Sequence, residues 1–290
     1  MDILCVSLCD NPFQQFLLRS RMPNKPSFLT STLFFCIVSL ALPLFAHAEI
    51  TPLTGEQCAT MQQNKVLSTE NPVKCERLMQ VSFAYQDFEG RRHDDGRLVV
   101  LDVVAPQVQA IFNALLQRGF PLQKARSLEA YQGDDEASMS DNNTSAFNGR
   151  PMTGGSTWSK HAYGVAIDIN PLQNPYISKD TDKQVVVLPP SARGQYQSRV
   201  PVRAGMAEEV RDIFFRHGFM IWGGNWKQPI DYQHFEIGSR DFIAHLLSLP
   251  LQQARREFSS YAATYATCMS DSAIANLAIR GKACAGKSKR

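Results

Sequence analysis

Two polar residues inside one short apolar segment constrain the fold of this chain more than any other feature. In the stretch SKHAYGVAIDIN, which begins at Ser159, six uncharged residues separate His161 from Asp168. A buried polar group costs free energy unless it has a partner, so both side chains need a common ligand or a cleft. The second half, GVAIDIN, alternates as a β-strand does, with three branched residues on the face opposite to Asp168. We therefore expect a strand that buries its branched face and turns Asp168 into a cleft.

A second segment, DYQHFEI, predicts another strand of the same kind. Its apolar residues Phe235 and Ile237 share one face, and His234 lies on the other. If the two strands are neighbours in a sheet, Asp168 and His234 converge, and His161 reaches them from the turn before its own strand. Two imidazoles and one carboxylate form a three-ligand zinc site with an open fourth position, which is typical of catalytic zinc.

Asp231 is the candidate for proton transfer at such a site. Zinc lowers the pKa of the water that it binds and polarises a carbonyl group. Amide hydrolysis also needs a group that takes a proton from the water and returns it to the leaving amine. Asp231 precedes the second strand, in a bend where a carboxylate can face the water without binding the metal. The spacing alone also fits a satisfied buried histidine and an aspartate that caps a turn.

The two segments resemble the motifs of one peptidase family. SKHAYGVAID is similar to the motif S-x-H-x-x-G-x-A-x-D, and DYQHF is similar to D/E-x-x-H-F. Both motifs occur in the zinc D-alanyl-D-alanine carboxypeptidases and L-alanyl-D-glutamate endopeptidases, which cut the peptide stems of peptidoglycan. The accompanying segments NNTSAFNGRPMTGG and NPLQNPY resemble a bacterial branch of that family, and the similarity extends from about Met79 to Ile237.

The resemblance implies a role for each matching position. His161, Asp168 and His234 match the zinc ligands, and Asp231 matches the catalytic acid/base. The implied fold is of the Hedgehog/DD-peptidase type, with a small mixed or antiparallel sheet and flanking helices. Because strands and helices mix here without a βαβ rhythm, the pattern itself also favours an α+β class.

Two further positions match residues that the family uses to hold its substrate. Ser159 matches a serine near the substrate. The family also uses an arginine ahead of the first motif, for which Arg150 and Arg126 both qualify, and Arg150 is preferred. A guanidinium suits this role because it grips a carboxylate or carbonyl oxygens with two parallel hydrogen bonds.

The N-terminal region predicts export. Basic residues precede an apolar run from Phe28 to Phe45, and Ala46-His47-Ala48 follows as a cleavage site, so residues 1–48 read as a signal peptide. The alternative is a membrane anchor, but the run is at the lower length limit for a span and contains several polar residues. Met22 would give a signal peptide of more usual length, and we hypothesise that translation begins there. The mature protein is then periplasmic or extracellular, with no stable membrane span.

Four cysteines remain after that cleavage: Cys58, Cys75, Cys268 and Cys284. An even count in an exported chain suggests disulfides, and four cysteines allow three pairings. Proximity in sequence favours Cys58–Cys75 and Cys268–Cys284 over the other pairings and over free thiols. Zinc binding by these four is disfavoured because no C-x-x-C spacing occurs.

Length and charge limit the remaining possibilities. A chain of 290 residues with 44% hydrophobic content can bury a full core and form one or two domains. The net charge of +3 is too small to indicate nucleic acid as a partner, and no oligomeric state follows from the sequence. Polar composition predicts long loops at 132–157 and 171–205.

Four segments are expected in the precursor. After the signal peptide come a disulfide-linked segment at 49–78, a zinc peptidase domain at 79–240 and a helical C-terminal extension at 241–290. The extension is either a helical layer held by a disulfide or, given its basic end, a wall-binding element.

The leading hypothesis is an exported zinc metallopeptidase that acts on peptidoglycan stem peptides, as a DD-carboxypeptidase or as an L-alanyl-D-glutamate or DD-endopeptidase. One alternative is a non-catalytic, zinc-containing wall-binding module of the same fold, against which Asp231 argues. Another is a zinc peptidase for a different exported peptide.

Overall fold

Short sheets and helices are mixed along the chain, which confirms the expected α+β class. The computed structural model describes residues 49–152, 155–271 and 273–287. The predicted signal peptide, 1–48, and the hypothetical start at Met22 lie outside these described residues.

Apart from β2 and β3, the strands of the described residues are short, and four of the seven α-helices described lie in the second half of the chain. The strands are β1 (Glu49–Pro52), β2 (Leu78–Gln86), β3 (Arg92–Leu101), β4 (Lys124–Ala125), β5 (Asn143–Thr144), β6 (Ala166–Asp168), β7 (Tyr176–Lys179), β8 (Val185–Leu188), β9 (Ile221–Trp222), β10 (Ile230–Asp231) and β11 (His234–Glu236). The α-helices are α1 (Gly55–Gln63), α2 (Ala105–Arg118), α3 (Asp135–Ser140), α4 (Arg211–Arg216), α5 (Arg240–Ser248), α6 (Leu251–Asp271) and α7 (Leu277–Lys287).

The sheet that carries the two motif strands has the order β6-β11-β9 and is antiparallel. The central strand β11 buries Phe235, whose ring stacks on Phe214 of α4 with centroids 4.0 Å apart. Ile167 of β6 is fully buried in the same core. Because side chains alternate along a strand, this anchoring turns Asp168 and His234 to the opposite face of the sheet. The expected alternation of both motifs is therefore present.

The N-terminal half forms an antiparallel sheet in the order β1-β2-β3, on which α2 packs. Phe83 of β2 stacks on Phe112 of α2 with centroids 3.9 Å apart. Helix α2 ends at Gly119, which adopts the left-handed conformation (φ 69°) that glycine tolerates best. The segment at 49–78 contributes helix α1. It also contributes the edge strand β1, which its polar composition did not indicate.

Both predicted loops contain regular structure. The loop at 132–157 includes α3 and β5, and Ser145 forms an antiparallel bridge to Asp168. The loop at 171–205 contains the hairpin β7–β8, which joins β10 in a third antiparallel sheet. The run VVVL in β8 is rich in β-branched residues, a strand signal that the polar surroundings obscured.

The C-terminal segment is helical, as expected. Helix α6 buries Phe258, Tyr261 and Tyr265 in the same apolar cluster that contains the strands. The structure joins Cys58 to Cys75 and Cys268 to Cys284, the pairing that proximity in sequence favoured. Within the described ranges, none of the helices combines the length and the apolar character that a membrane crossing requires.

Candidate metal centre and active site

The pairing of β6 with β11 places His234 directly across from Asp168. Nδ1 of His234 lies 3.0 Å from Oδ1 of Asp168 and 3.1 Å from Nε2 of His161. Nε2 of His161 in turn lies 3.2 Å from Oδ2 of Asp168. The candidate ligand atoms of the three residues all lie within 4.8 Å of one another. Ligand bonds of about 2.0–2.2 Å around a tetrahedral ion separate neighbouring ligand atoms by roughly 3.4 Å, so this donor set fits one zinc ion.

Each imidazole is oriented by a hydrogen bond from the nitrogen that does not face the centre. Nδ1 of His161 donates a hydrogen bond to the carbonyl oxygen of Ala146 at 2.5 Å, so the lone pair of Nε2 can face the centre. Nε2 of His234 lies 3.0 Å from Oε2 of Glu236, so this nitrogen donates and Nδ1 faces the centre. Such outer hydrogen bonds fix the tautomer and the ring orientation of metal-binding histidines.

Glu236 is itself held by Lys160, a contact that the sequence motifs did not reveal. Nζ of Lys160 donates to Oε1 of Glu236 at 2.8 Å and to the carbonyl of Ile237 at 3.0 Å. Both side chains are nearly buried. Burial would raise the pKa of Glu236, but its hydrogen bond to His234 and the charge of Lys160 lower it. Glu236 is therefore a fixed anion behind His234.

The surroundings favour positive charge in the centre. Burial opposes ionisation of Asp168, yet His161 and His234 lower the pKa of this carboxyl well below its usual range. Burial also opposes the charged form of His234, but hydrogen bonds to Asp168 and Glu236 raise its pKa to about 10. The two carboxylates thus stabilise a cation at this point, whether it is a proton or a metal ion.

Asp231 lies in the same cleft and is 9% exposed. Its Oδ1 atom is buried without a hydrogen-bond partner. Burial, and then repulsion from Asp168, raise the pKa of Asp231 to about 7. Gly223 permits this position, because a Cβ atom there would lie 2.4 Å from the carbonyl oxygen of Asp231. The sequence offered no sign of that close approach.

The cleft encloses about 650 Å³ and contains both substrate-binding candidates that the motifs preferred. Arg150 lines it and forms a salt bridge of 2.6 Å with Asp135. Arg126, the other arginine considered, pairs instead with Asp95 at 3.6 Å and is not among the described residues that line the cleft. Ser159 also lines the cleft, and its hydroxyl oxygen accepts a hydrogen bond from the backbone N–H of His161 at 3.3 Å.

Two tryptophans near the motifs have different positions. Trp226 lines the cleft, with its ring centroid 5.3 Å from that of His234. Trp222 belongs to the core, where its Nε1 donates to the carbonyl of Tyr232 at 2.8 Å.

Comparison with protein families gives one match. Residues 153–237 match the family model described as D-alanyl-D-alanine carboxypeptidase. Neither the comparison with curated proteins nor that with solved structures found a match. The matched segment contains His161, Asp168, His234 and Asp231. The family resemblance of the two motifs is thereby confirmed for the segment that holds the candidate metal centre: residues 153–237 match the D-alanyl-D-alanine carboxypeptidase family model.

Proposed function

We propose that this chain is an exported zinc peptidase that hydrolyses a peptide bond in peptidoglycan stem peptides. One observation carries the proposal: three metal-capable side chains converge in a cleft beside a buried carboxyl group of raised pKa, within the segment that matches the family. The predicted signal peptide and the two disulfides support a location outside the cytoplasm, where peptidoglycan is accessible.

His161, Asp168 and His234 are the residues that would hold the metal. Zinc, when bound there, would polarise the scissile carbonyl and acidify a water molecule. The hydrogen bonds to the carbonyl of Ala146 and to Glu236 hold the two imidazoles aimed inward. No rotation of either ring is then needed on metal binding, which reduces the cost of assembling the site.

Asp231 moves the proton. With a pKa near 7, its carboxylate accepts a proton from the attacking water and returns the same proton to the nitrogen of the leaving amine. The peptide C–N bond breaks to give a carboxylic acid and an amine, and Asp231 ends in its starting state. The acid then loses the second proton of the water to the amine or to solvent. The unpartnered Oδ1 atom is the position from which this transfer takes place.

Arg150 and Ser159 orient the peptide. Nε and one terminal nitrogen of Arg150 both donate hydrogen bonds to Asp135, and this pair of bonds holds the guanidinium in one orientation beside the cleft. Its remaining N–H groups can donate to a substrate carboxylate or carbonyl. The hydroxyl oxygen of Ser159 accepts a hydrogen bond from the backbone N–H of His161. The O–H of Ser159 can therefore donate a hydrogen bond to the substrate.

Digestion of purified muropeptides, with mass analysis of the products, tests the proposal. The wild-type protein with zinc should release either D-alanine or a fragment cut between L-alanine and D-glutamate, and a chelator should abolish the reaction. The variant Asp231→Asn should keep zinc and lose activity. A zinc-loaded wild-type protein that leaves every muropeptide intact would contradict the peptidase proposal and favour a non-catalytic binding module.

A further inference from the structure

A second cavity, of about 580 Å³, lies beside the cleft. Residues of α4, β9, α6 and α7 line it, so the C-terminal helices form one of its walls. Trp226 lines both this cavity and the cleft of the metal centre. We call this cavity the basic groove, because three of its lining residues are the cations Arg211, Arg216 and Lys282.

The positive charge of the basic groove is offset only in part by its own carboxylates. Its two acidic residues are each paired with an arginine from outside the groove. Oδ1 and Oδ2 of Asp212 accept hydrogen bonds from Arg118 at 2.6 and 2.8 Å. Oε1 of Glu208 accepts a hydrogen bond from Arg199 at 2.8 Å. In contrast, no ion pair joins Arg211, Arg216 or Lys282 to a carboxylate in the part of the chain that the structure describes.

Aromatic rings accompany these cations. Arg211 stacks over the ring of Trp222 at 4.9 Å, and Phe215 and Tyr265 line the same groove. Leu277 of α7 also lines it and is 68% exposed. A groove that offers the exposed Leu277 and the partly exposed ring of Trp226 beside cations without an ion pair among the described residues suits a ligand that has both a carbon-rich face and free carboxylates.

We propose that the basic groove binds a carboxylate-bearing stretch of the peptidoglycan polymer next to the stem peptide that occupies the cleft. This inference rests on the proposed function. Stem peptides carry free carboxylates, and Trp226, which lines both cavities, places the groove next to the site of cleavage. The groove would hold the enzyme on the insoluble polymer, whereas a short soluble peptide would need the cleft alone.

The test compares binding to the polymer with turnover of a small substrate. The double variant R216E/K282E reverses two exposed cations of the groove, and R97E/R256E makes the same charge change at two exposed positions outside it. Sedimentation with insoluble peptidoglycan measures binding, in an Asp231→Asn background so that the polymer is not cut. Hydrolysis of a soluble muropeptide is measured without that substitution.

We expect R216E/K282E to raise the dissociation constant for peptidoglycan about tenfold, while R97E/R256E changes it by less than about twofold. Turnover of the soluble muropeptide should stay within about twofold of wild type in both variants. Peptidoglycan whose carboxylates have been converted to amides should bind all forms equally weakly.

Three results would overturn the inference: equal binding of wild type and R216E/K282E, an equal loss in the control variant, or a difference that persists on amidated polymer. A wild-type protein that binds peptidoglycan through the groove but cuts no muropeptide would refute the proposed function and leave the groove supported.

Discussion

Oε2 of Glu236 accepts a hydrogen bond from Nε2 of His234 at 3.0 Å, and the two residues lie on the same face of β11. Since Nε2 donates outward, Nδ1 is the nitrogen that faces Asp168 and His161. Lys160 holds Glu236 from behind at 2.8 Å. The orientation of one candidate metal ligand therefore depends on two charged residues outside the candidate ligand set.

Replacing Glu236 should weaken metal binding without removing a ligand. We expect Glu236→Ala to lower the affinity for zinc about 10–100-fold, because the ring of His234 loses its orienting acceptor. Competition with a chelator of known affinity measures the change. Glu257→Ala is the matched control, since Glu257 makes the same kind of contact with His245, at 2.7 Å and outside the cleft. Equal zinc affinity in wild type and Glu236→Ala would refute the orienting role.

The ionisation of Asp231 should appear in the pH dependence of hydrolysis. The acid/base must be a carboxylate when it accepts the proton, so kcat/KM should fall as the pH drops through the pKa of this group. Burial raises that pKa to about 7, and a cation in the centre lowers it, so the acid limb should lie at or below about pH 7. In Asp231→Asn the rate should drop by about 10²–10⁴-fold and this limb should vanish. If Asp231→Asn hydrolyses the substrate at the wild-type rate, another group must transfer the proton.

Gly164 should not tolerate a side chain. It has φ 68° at the end of the one-turn helix that carries His161, and a Cβ atom there would lie 2.5 Å from the backbone nitrogen of Leu101. We expect Gly164→Ala to lower the free energy of unfolding by at least about 2 kcal/mol, measured by denaturant titration, and to weaken zinc binding because His161 shifts. Gly55→Ala is the control, since nothing lies within 4 Å of a Cβ at the start of α1. A similar stability change in both variants would argue against strain at Gly164.

The disulfide between Cys268 and Cys284 should hold α7 against α6. The two cysteines are 16 residues apart, a loop for which a disulfide contributes about 3 kcal/mol. Replacing both by serine should lower the unfolding free energy by about that amount and increase amide hydrogen exchange in α7. Exchange in β6 and β11 should change least, because those strands are in the core. Unchanged exchange in α7 would show that packing alone holds this helix.

The directions of Asp168 and His234 could be predicted from the sequence because they depend on local periodicity, whereas the resemblance to family motifs implied the full candidate ligand set. Side chains alternate along a strand, so the apolar faces of the two motifs determine where Asp168 and His234 point. The likeness to family motifs then indicated that the two strands are neighbours. The pairing of β6 with β11 supplies that contact.

The residues that support the site could not be predicted in the same way, because they come from distant parts of the chain. The carbonyl of Ala146 is fifteen residues from His161, and Lys160 contacts Glu236 across 76 positions. Gly223 approaches the backbone of Asp231 so closely that only the folded chain reveals the need for a glycine. Contacts of this kind leave no periodic pattern in the sequence.

The most direct test of the account is the zinc content of the purified protein, measured by equilibrium dialysis and elemental analysis. The account predicts one tightly bound zinc per chain in the wild type and in Asp231→Asn. It predicts none in the double variant His161→Ala/His234→Ala, with circular dichroism confirming that this variant is folded. Zinc bound as well by the folded double variant as by the wild type, or a wild type that binds none, would contradict the shared metal centre.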